Sequence, residues 1–223
     1  MTITAWVLDV DDTVYLERDY VRSGFDAVGE WGASAVGVTG VGDTAWQLFL
    51  AGTRRSTLTD AFAARGRPLS PPEVAAMVEV YRTHAPAIRP CGDAAAFVAT
   101  LPPSRLGIVT DGPAASQWAK IRALGLEAAA GSIVVTDSHG PEWYKPAVRA
   151  FVHVATSLGV AHERCAYVGD NPGKDFVAAR RLGWTTVRIT RPGGLHAAVP
   201  SRSGEVDREI TSFAELAPED VAS

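Results

Sequence analysis

The sequence has little that could bind a transition metal or cross-link the chain. Only two cysteines occur among 223 residues. Cys91 and Cys165 lie far apart and match no spacing of a zinc site. We therefore expect both to be reduced structural thiols. The five histidines share no spacing either, so we assign them no chemistry.

Long apolar runs are also missing. No stretch approaches the roughly 18 apolar residues that a membrane helix needs. The first apolar segment ends at Asp9, which is too early and too acidic for a signal peptide. We therefore expect a cytoplasmic protein that does not contact a membrane. The net charge of −4 argues against nucleic-acid binding as its main role.

Lysine is scarce, because only three of the 21 basic residues are lysines. Where such a chain keeps a lysine, a generic surface charge is a weaker explanation than usual. We nevertheless expect Lys120 and Lys174 to be solvated surface charges, and we assign a role only to Lys145. Tyr15 is expected to serve ordinary packing.

The chain after residue 90 alternates between short apolar segments and helical segments. With the N-terminal segment, five stretches predict strands: residues 5–9, 105–110, 132–136, 165–168 and 185–189. Alternation with short connections predicts an α/β fold with a doubly wound, Rossmann-like and mainly parallel sheet. A helix is expected over residues 146–158, with Lys145 at its start.

Residues 14–90 follow a different pattern, with helical spacing and no strand signal. A helix start is indicated at Ser70, followed by prolines and by Glu73, which completes a capping box. We expect an all-helical cap domain over residues 14–90. It interrupts a core domain made of residues 1–13 and 91–223.

Polar side chains occur where the predicted strands end. Asp9 and Asp11 follow the first strand, Thr110 and Asp111 end the second, and Asp170 follows the fourth. The carboxyl ends of parallel strands share one edge of a sheet, and ligands bind there. We therefore expect these groups to meet, although they are up to 161 positions apart.

Such a cluster favours one kind of chemistry. Carboxylates at close range repel one another unless a cation compensates, and oxygen ligands suit Mg²⁺. The hydroxyl of Thr110, the ammonium of Lys145 and backbone amides near Gly112 can hold a phosphate. Together these groups indicate phosphoryl transfer through a covalent aspartyl intermediate.

Four motifs then resemble those of the haloacid dehalogenase-like superfamily. The segment from Asp9 to Thr13 is similar to its first motif, Asp-x-Asp-x-Thr. Ile108–Gly112 is similar to the second, and Lys145-Pro146 is similar to the third. Gly169–Phe176 resembles the fourth, Gly-Asp-x-x-x-x-Asp. Their order and spacing fit over essentially the whole chain, and the position of the cap resembles the C1-capped subgroup.

The resemblance implies roles for these residues. Asp9 attacks phosphorus, and Asp11 protonates the leaving oxygen and then activates water. Thr13 positions the first loop, while Thr110 and Lys145 bind the transferring phosphoryl group. The candidate substrate-binding residues are Thr13, Thr110, Asp111 and Gly112.

A magnesium site is implied as well. Mg²⁺ would be held by the carboxylates of Asp9 and Asp170 and by the backbone carbonyl of Asp11. Asp175 either binds the ion directly or contacts one of the residues that bind it. Asp111 stands where many members of the superfamily carry Asn, so its extra negative charge near phosphate needs a partner.

The expected function is hydrolysis of a small-molecule phosphate monoester. A dehalogenase would lack Asp11, and a phosphonatase needs a cap lysine, whereas no lysine occurs between residues 14 and 119. A phosphomutase acting on a sugar phosphate and a noncatalytic binding protein with this fold are left open. The expected partner is a small phosphorylated substrate, and the protein is expected to be a monomer or homodimer.

Overall fold

The structure is a computed structural model that describes residues 2–201 and 204–216. The remaining positions of the predicted core domain, residues 1, 202–203 and 217–223, lie outside the described residues. Within the described ranges, six strands form one parallel sheet in the order β3-β2-β1-β4-β5-β6. The strands are β1 Ala5–Leu8, β2 Leu106–Thr110, β3 Ser132–Val135, β4 Cys165–Gly169, β5 Thr185–Ile189 and β6 Arg208–Ile210.

The strand order places β1 at the centre of the sheet. The chain builds outward from β1 to β2 and β3 on one side, and then adds β4, β5 and β6 on the other. Every residue of β1, β2 and β4 is buried, as expected for parallel strands covered on both faces. The carboxyl ends of these three strands therefore lie side by side where the order reverses, which is where ligands bind in such sheets.

Helices cover this sheet. They are α5 Gly92–Ala99, α6 Ala114–Ala123, α7 Leu126–Ala129, α8 Arg149–Leu158 and α9 Asp175–Arg181. Phe151 and Val154 of α8 and Phe176 of α9 belong to one buried cluster with strand residues such as Val7 and Tyr167. The predicted doubly wound α/β fold is confirmed.

One predicted helix start was wrong. The helix expected from residue 146 begins at Arg149, and Pro141–Trp143 form a 3-10 turn ahead of it. The Lys145-Pro146 peptide is cis. Because α8 begins four residues later, Lys145 lies in the loop between β3 and α8 rather than at a helix start.

Residues from Arg18 to Ile88 form a compact unit of their own, and the residues up to Glu17 pack with those from Arg89 onward. The helices of this region are α1 Glu17–Ala35, α2 Val41–Leu50, α3 Thr57–Ala64 and α4 Pro71–Thr83. Residues 18–88, all of which are described, contain no strand. The role of this unit as a cap stays a prediction.

The helical unit has its own core, in which Phe25, Val28, Phe62 and Met77 are buried together. The backbone N–H of Ser70 donates to Oε2 of Glu73 at 2.8 Å at the start of α4, as the capping pattern predicted. Within residues 2–201 and 204–216, we find no helix with the length and apolar character of a membrane span.

The fit of α8 against the sheet can be tested at Gly107. A Cβ atom there would lie 2.4 Å from Cγ1 of Val154 and 3.2 Å from Cγ2 of Val7, and both side chains are buried and stiff. Gly107→Ala should therefore lower the free energy of unfolding by about 1–3 kcal/mol. Urea unfolding measures this difference.

The matched control is Gly92→Ala, because a Cβ atom at Gly92 meets nothing within 4 Å. Alanine is also the better residue in a helix, so this variant should gain at most about 1 kcal/mol. Equal stabilities of the two variants would contradict the close packing of β2 against α8.

Candidate active site

Three carboxylates and one lysine meet at the carboxyl edge of the sheet. Asp9 follows β1, Asp170 follows β4 and Asp175 opens α9. Their oxygens lie within 4.8 Å of one another. Nζ of Lys145 lies 2.9 Å from Oδ1 of Asp9 and 2.7 Å from Oδ1 of Asp175. All four residues are buried, so the third motif is joined directly to the first and fourth.

The fourth motif holds Asp175 close to the backbone. Oδ2 of Asp175 accepts a hydrogen bond from the backbone N–H of Asn171 at 2.8 Å. A Cβ atom on Gly169 would lie 2.6 Å from the same oxygen. The glycine that ends β4 is thus required for the carboxylate to reach the edge of the sheet.

Negative charge exceeds positive charge in this cluster. Three ionised carboxylates against one ammonium leave a formal charge of −2. Burial raises the pKa of Asp9 to about 6 although Lys145 opposes the change. Burial, together with Asp175 and Asp9, raises the pKa of Asp170 to about 9. Lys145 keeps a pKa well above its usual value, because the neighbouring carboxylates outweigh its burial.

The cluster fits a hard divalent cation. Its donors are all oxygens, contributed by Asp9, Asp170 and Asp175, and hard cations prefer such donors. A charge of +2 would also balance the excess of the three carboxylates over Lys145. The backbone carbonyl of Asp170 is held by Nε of Arg188 at 3.3 Å, which helps to fix the loop that presents this carboxylate.

The second motif faces helix α6. Thr110 is buried, and its hydroxyl donates to Oε1 of Gln117 at 3.1 Å. Gly112 has a φ of 133°, and a Cβ atom there would lie 2.8 Å from Nε2 of Gln117. A glycine is therefore needed at this turn both for its backbone conformation and for space.

Asp111 has the partner that its charge required. Nζ of Lys174 lies 3.0 Å from its Oδ2. The hydroxyl of Thr136 and the backbone N–H of Lys145 donate to its Oδ1 at 2.8 and 3.2 Å. Burial raises the pKa of Asp111, but Lys145 and Lys174 bring it below its usual value. The expectation that Lys174 is merely solvated was wrong, because this lysine pairs with the second motif.

Asp11 is enclosed by three side chains. Nζ of Lys120 donates to Oδ1 at 2.7 Å and to Oδ2 at 3.0 Å. Nε2 of Gln117 donates to Oδ2 at 2.8 Å, and the hydroxyl of Tyr15 donates to Oδ1. Burial alone raises the pKa of Asp11, but Lys120 and the other donors bring it below its usual value.

Sequence reasoning was wrong about Lys120 and missed Gln117. The side chain of Lys120 is 5% exposed, so this lysine is not a surface charge. Two signals could have identified the pair. Lysine is rare in this chain, and residues three apart on a helix share a face. A helix that follows the second motif and packs this face inward would place Gln117 and Lys120 near Asp11.

Residues Asp12 and Thr13 anchor the first motif rather than face the carboxylates. Asp12 has a φ of 49° and accepts hydrogen bonds from the backbone N–H groups of Glu17 and Leu195 at 2.9 and 2.7 Å. Thr13 is fully buried, and Nε of Arg191 donates to its carbonyl at 2.7 Å. In this structure Thr13 contributes to the position of the loop.

Similar solved structures share this architecture over nearly the whole chain. The Bacillus subtilis HAD-hydrolase YfnB, solved bound to magnesium, superposes with a TM-score of 0.66 at 18% identity and covers 97% of each chain. A 2-haloacid dehalogenase from Pseudomonas syringae superposes with a TM-score of 0.64 at 19% identity and 98% coverage of each. At such identities the similarity establishes the fold and not the reaction.

Curated relatives match part of the chain. A glyceraldehyde 3-phosphate phosphatase from Methanopyrus kandleri is 39% identical over 113 residues, which is 50% of this chain and 47% of that protein. A glyceraldehyde 3-phosphate phosphatase from Methanocaldococcus jannaschii is 33% identical over 87 residues, or 39% of this chain and 37% of that protein. The match thus spans less than half the length of each relative.

The lysine in the buried cluster should be essential for stability. Lys145→Met leaves the carboxylates of Asp9 and Asp175 uncompensated, and breaking a buried pair in this way costs about 3–5 kcal/mol. Lys174→Met is the matched control. The side chain of Lys174 is 34% exposed, and an ion pair of that kind contributes only about 0–1 kcal/mol. Urea unfolding at neutral pH in EDTA compares the two, and similar small losses would contradict the difference.

The family can be assigned from sequence. A family model described as a haloacid dehalogenase-like hydrolase matches residues 3–183, a span that contains all four motifs. This match confirms the resemblance, but it does not separate the cap subgroups, so the C1 assignment stays a prediction. The chain belongs to the haloacid dehalogenase-like hydrolase family.

Proposed function

We propose that the protein is a magnesium-dependent phosphatase that hydrolyses a small phosphate monoester through a covalent intermediate on Asp9. The observation that carries this proposal is the contact of 2.9 Å between Asp9 and Lys145, with Asp170 and Asp175 beside them. A buried carboxylate beside a cation, at the sheet edge where ligands bind, has the environment that a nucleophile for a phosphate ester needs.

In the first step, a carboxylate oxygen of Asp9 attacks phosphorus. The new O–P bond forms while the bond between phosphorus and the ester oxygen breaks. Lys145 and the hydroxyl of Thr110 bind the oxygens of the transferring group, and Lys145 offsets the charge that these oxygens carry. The backbone amides of Asp111 and Gly112 are proposed to donate to the same group.

Asp11 moves the protons. Its carboxylic acid gives a proton to the ester oxygen as the alcohol leaves. The resulting carboxylate then takes a proton from water as the water oxygen bonds to phosphorus, and the aspartyl O–P bond breaks. Phosphate leaves, and both Asp9 and Asp11 return to their starting states, so the cycle needs no other reactant.

Magnesium fits the carboxylate cluster. The ion would be held by the carboxylates of Asp9 and Asp170 and by the backbone carbonyl of Asp11. Asp175 would bind it directly or contact one of these ligands. When bound, the ion supplies positive charge against the oxygens of the phosphoryl group. This proposal rests on the oxygen donors and their excess of negative charge, which a divalent cation would balance.

The substrate is proposed to be a small phosphorylated metabolite. Glyceraldehyde 3-phosphate is the first compound to assay, because the curated relatives, matched over 47% and 37% of their own length, carry that activity in their names. The helical unit of residues 18–88 is proposed to act as the cap that selects the substrate and excludes water. The cytoplasmic location and the monomeric or dimeric state belong to the same proposal.

The nucleophile is tested by phosphate release. With Mg²⁺ present, the protein should release phosphate from p-nitrophenyl phosphate and glyceraldehyde 3-phosphate, and EDTA should abolish the release. Asp9→Asn should be inactive, because an amide oxygen cannot form the acyl phosphate. Asp60→Asn, the same change at an exposed position, is the control that should leave the rate unchanged. Wild-type rates in Asp9→Asn would sink the assignment.

The metal site is tested by thermal unfolding. Mg²⁺ at about 100 times its Kd should stabilise the protein by about 2.7 kcal/mol, whereas KCl at equal ionic strength should not. Asp170→Asn should lose this response. An equal Mg²⁺ response in both proteins would contradict the site.

Without Mg²⁺, Asp170→Asn should be favoured over the wild type as the pH rises. The pKa of Asp170 is raised from 3.8 to about 9 in the folded state. Folding therefore opposes its ionisation, and the wild type loses stability as the pH rises between those values. In EDTA, the stability of Asp170→Asn relative to the wild type should increase from pH 4 to pH 9. A difference that does not change with pH would contradict the electrostatic account.

A further inference from the structure

The contacts around Asp11 single out one lysine. Lys120 reaches both carboxylate oxygens of Asp11, at 2.7 and 3.0 Å. Gln117 and Tyr15 each reach one oxygen. The two oxygens are therefore held from three directions, but only the lysine among these three donors bridges them.

Helix α6 is built to supply this contact. Gln117 and Lys120 are three residues apart, so their side chains share one face of the helix. Both are buried, whereas Arg122 on the same helix is exposed. Oε1 of Gln117 also accepts a hydrogen bond from the hydroxyl of Thr110 at 3.1 Å. One face of α6 therefore joins a candidate phosphoryl-binding residue to the proton-transferring carboxylate.

Burying a lysine is costly unless it is paired. The side chain of Lys120 is 5% exposed and that of Asp11 is 20% exposed. A lysine whose only role was to solubilise the helix would extend into water, as Arg122 does. The position of Lys120 therefore calls for a role that depends on Asp11.

We propose that Lys120 is a positioning residue that fixes the Asp11 carboxylate for proton transfer to the leaving group. The inference rests on the proposed function, since it concerns the step in which the P–O bond to the alcohol breaks and Asp11 protonates the departing oxygen. Lys120 neither gives nor takes a proton in that step. It acts by restricting the orientation of Asp11.

If Lys120 positions the proton donor, its loss should slow the hydrolysis of esters with poor leaving groups more than that of esters with good ones. p-Nitrophenolate leaves readily without a proton, whereas an alkoxide does not. Lys120→Met should lower kcat about 10²-fold for the alkyl phosphate that the wild type hydrolyses best, the scale expected when a catalytic group is misplaced by about 1 Å. The loss for p-nitrophenyl phosphate should be at least tenfold smaller. Equal losses for both esters would overturn the proposal.

Three further variants separate positioning from general damage. Arg122→Met removes a positive charge from the exposed face of α6 and should change neither rate. Lys120→Arg keeps a cation beside Asp11 and should recover most of the alkyl phosphatase rate. In an Asp11→Asn background, Lys120→Met should cause no further loss, because a residue that acts through Asp11 has no effect without it.

The double variant also guards against failure to fold. Removing both members of a buried pair leaves no uncompensated charge, so it is better tolerated than removing one. An additional loss of alkyl phosphatase activity in the double variant would overturn the proposal.

The proposed function can fail separately from this inference. A wild type that releases phosphate from no ester would overturn the phosphatase assignment itself. The crystal structure of Lys120→Met then decides the positioning role without an activity measurement. A reoriented Asp11 side chain supports the role, and an unchanged one overturns it.

Discussion

Charge compensation at the carboxyl edge of the sheet is the constraint on which the site depends. Parallel strands bring carboxylates from distant parts of the chain to one edge, where burial makes their mutual repulsion strong. Lys145 contacts Asp9 and Asp175 at once, so one buried ammonium is shared by two carboxylates. The remaining excess of negative charge is what makes the edge suited to a divalent cation.

The other two lysines complete the arrangement. Lys120 pairs with Asp11 from α6, and Lys174 pairs with Asp111 from the loop before α9. All three lysines of the chain are thus at this edge, each beside an acid of the recognised motifs. Two arginines act on the backbone of the same motifs instead, because Arg188 donates to the carbonyl of Asp170 and Arg191 to that of Thr13. Lysine is a compact, flexible cation that can contact a carboxylate from a confined position.

Much of this could be predicted from the sequence, because burial on both faces leaves a strong mark on a strand. β5 has the expected bounds at Thr185–Ile189, and β1 to β4 each differ from the predicted strands by one residue at an end. The acids could be assigned to one edge because parallel strands share their direction. Such reasoning depends only on strand position and not on side-chain orientation.

The errors arose where orientation decides the outcome. Whether Lys120 enters the site or extends into water depends on which face of α6 packs inward, and that helix carries apolar and polar residues on several faces. Likewise, Lys145 was placed at a helix start because residues 146–158 have helical spacing, but α8 begins only at Arg149. Local propensity cannot reveal that the preceding segment is needed as a loop around Asp111.

Asp9 and Asp11 lie two residues apart in different electrostatic environments, and the difference does not by itself match the two roles proposed for them. Burial raises the pKa of Asp9 to about 6, whereas Lys120, Gln117 and Tyr15 outweigh burial and lower that of Asp11. The proposed catalytic order needs an ionised Asp9 and a protonated Asp11 at the first step, whereas these shifts favour the opposite protonation states.

The proposed cation and phosphate substrate would shift the pKa values of Asp9 and Asp11 in the directions that the first step needs. A cation beside Asp9 favours its carboxylate, and a phosphate dianion beside Asp11 favours its acid form. Two carboxylates of the same type can therefore take different roles, because each is adjusted by the ligand it meets.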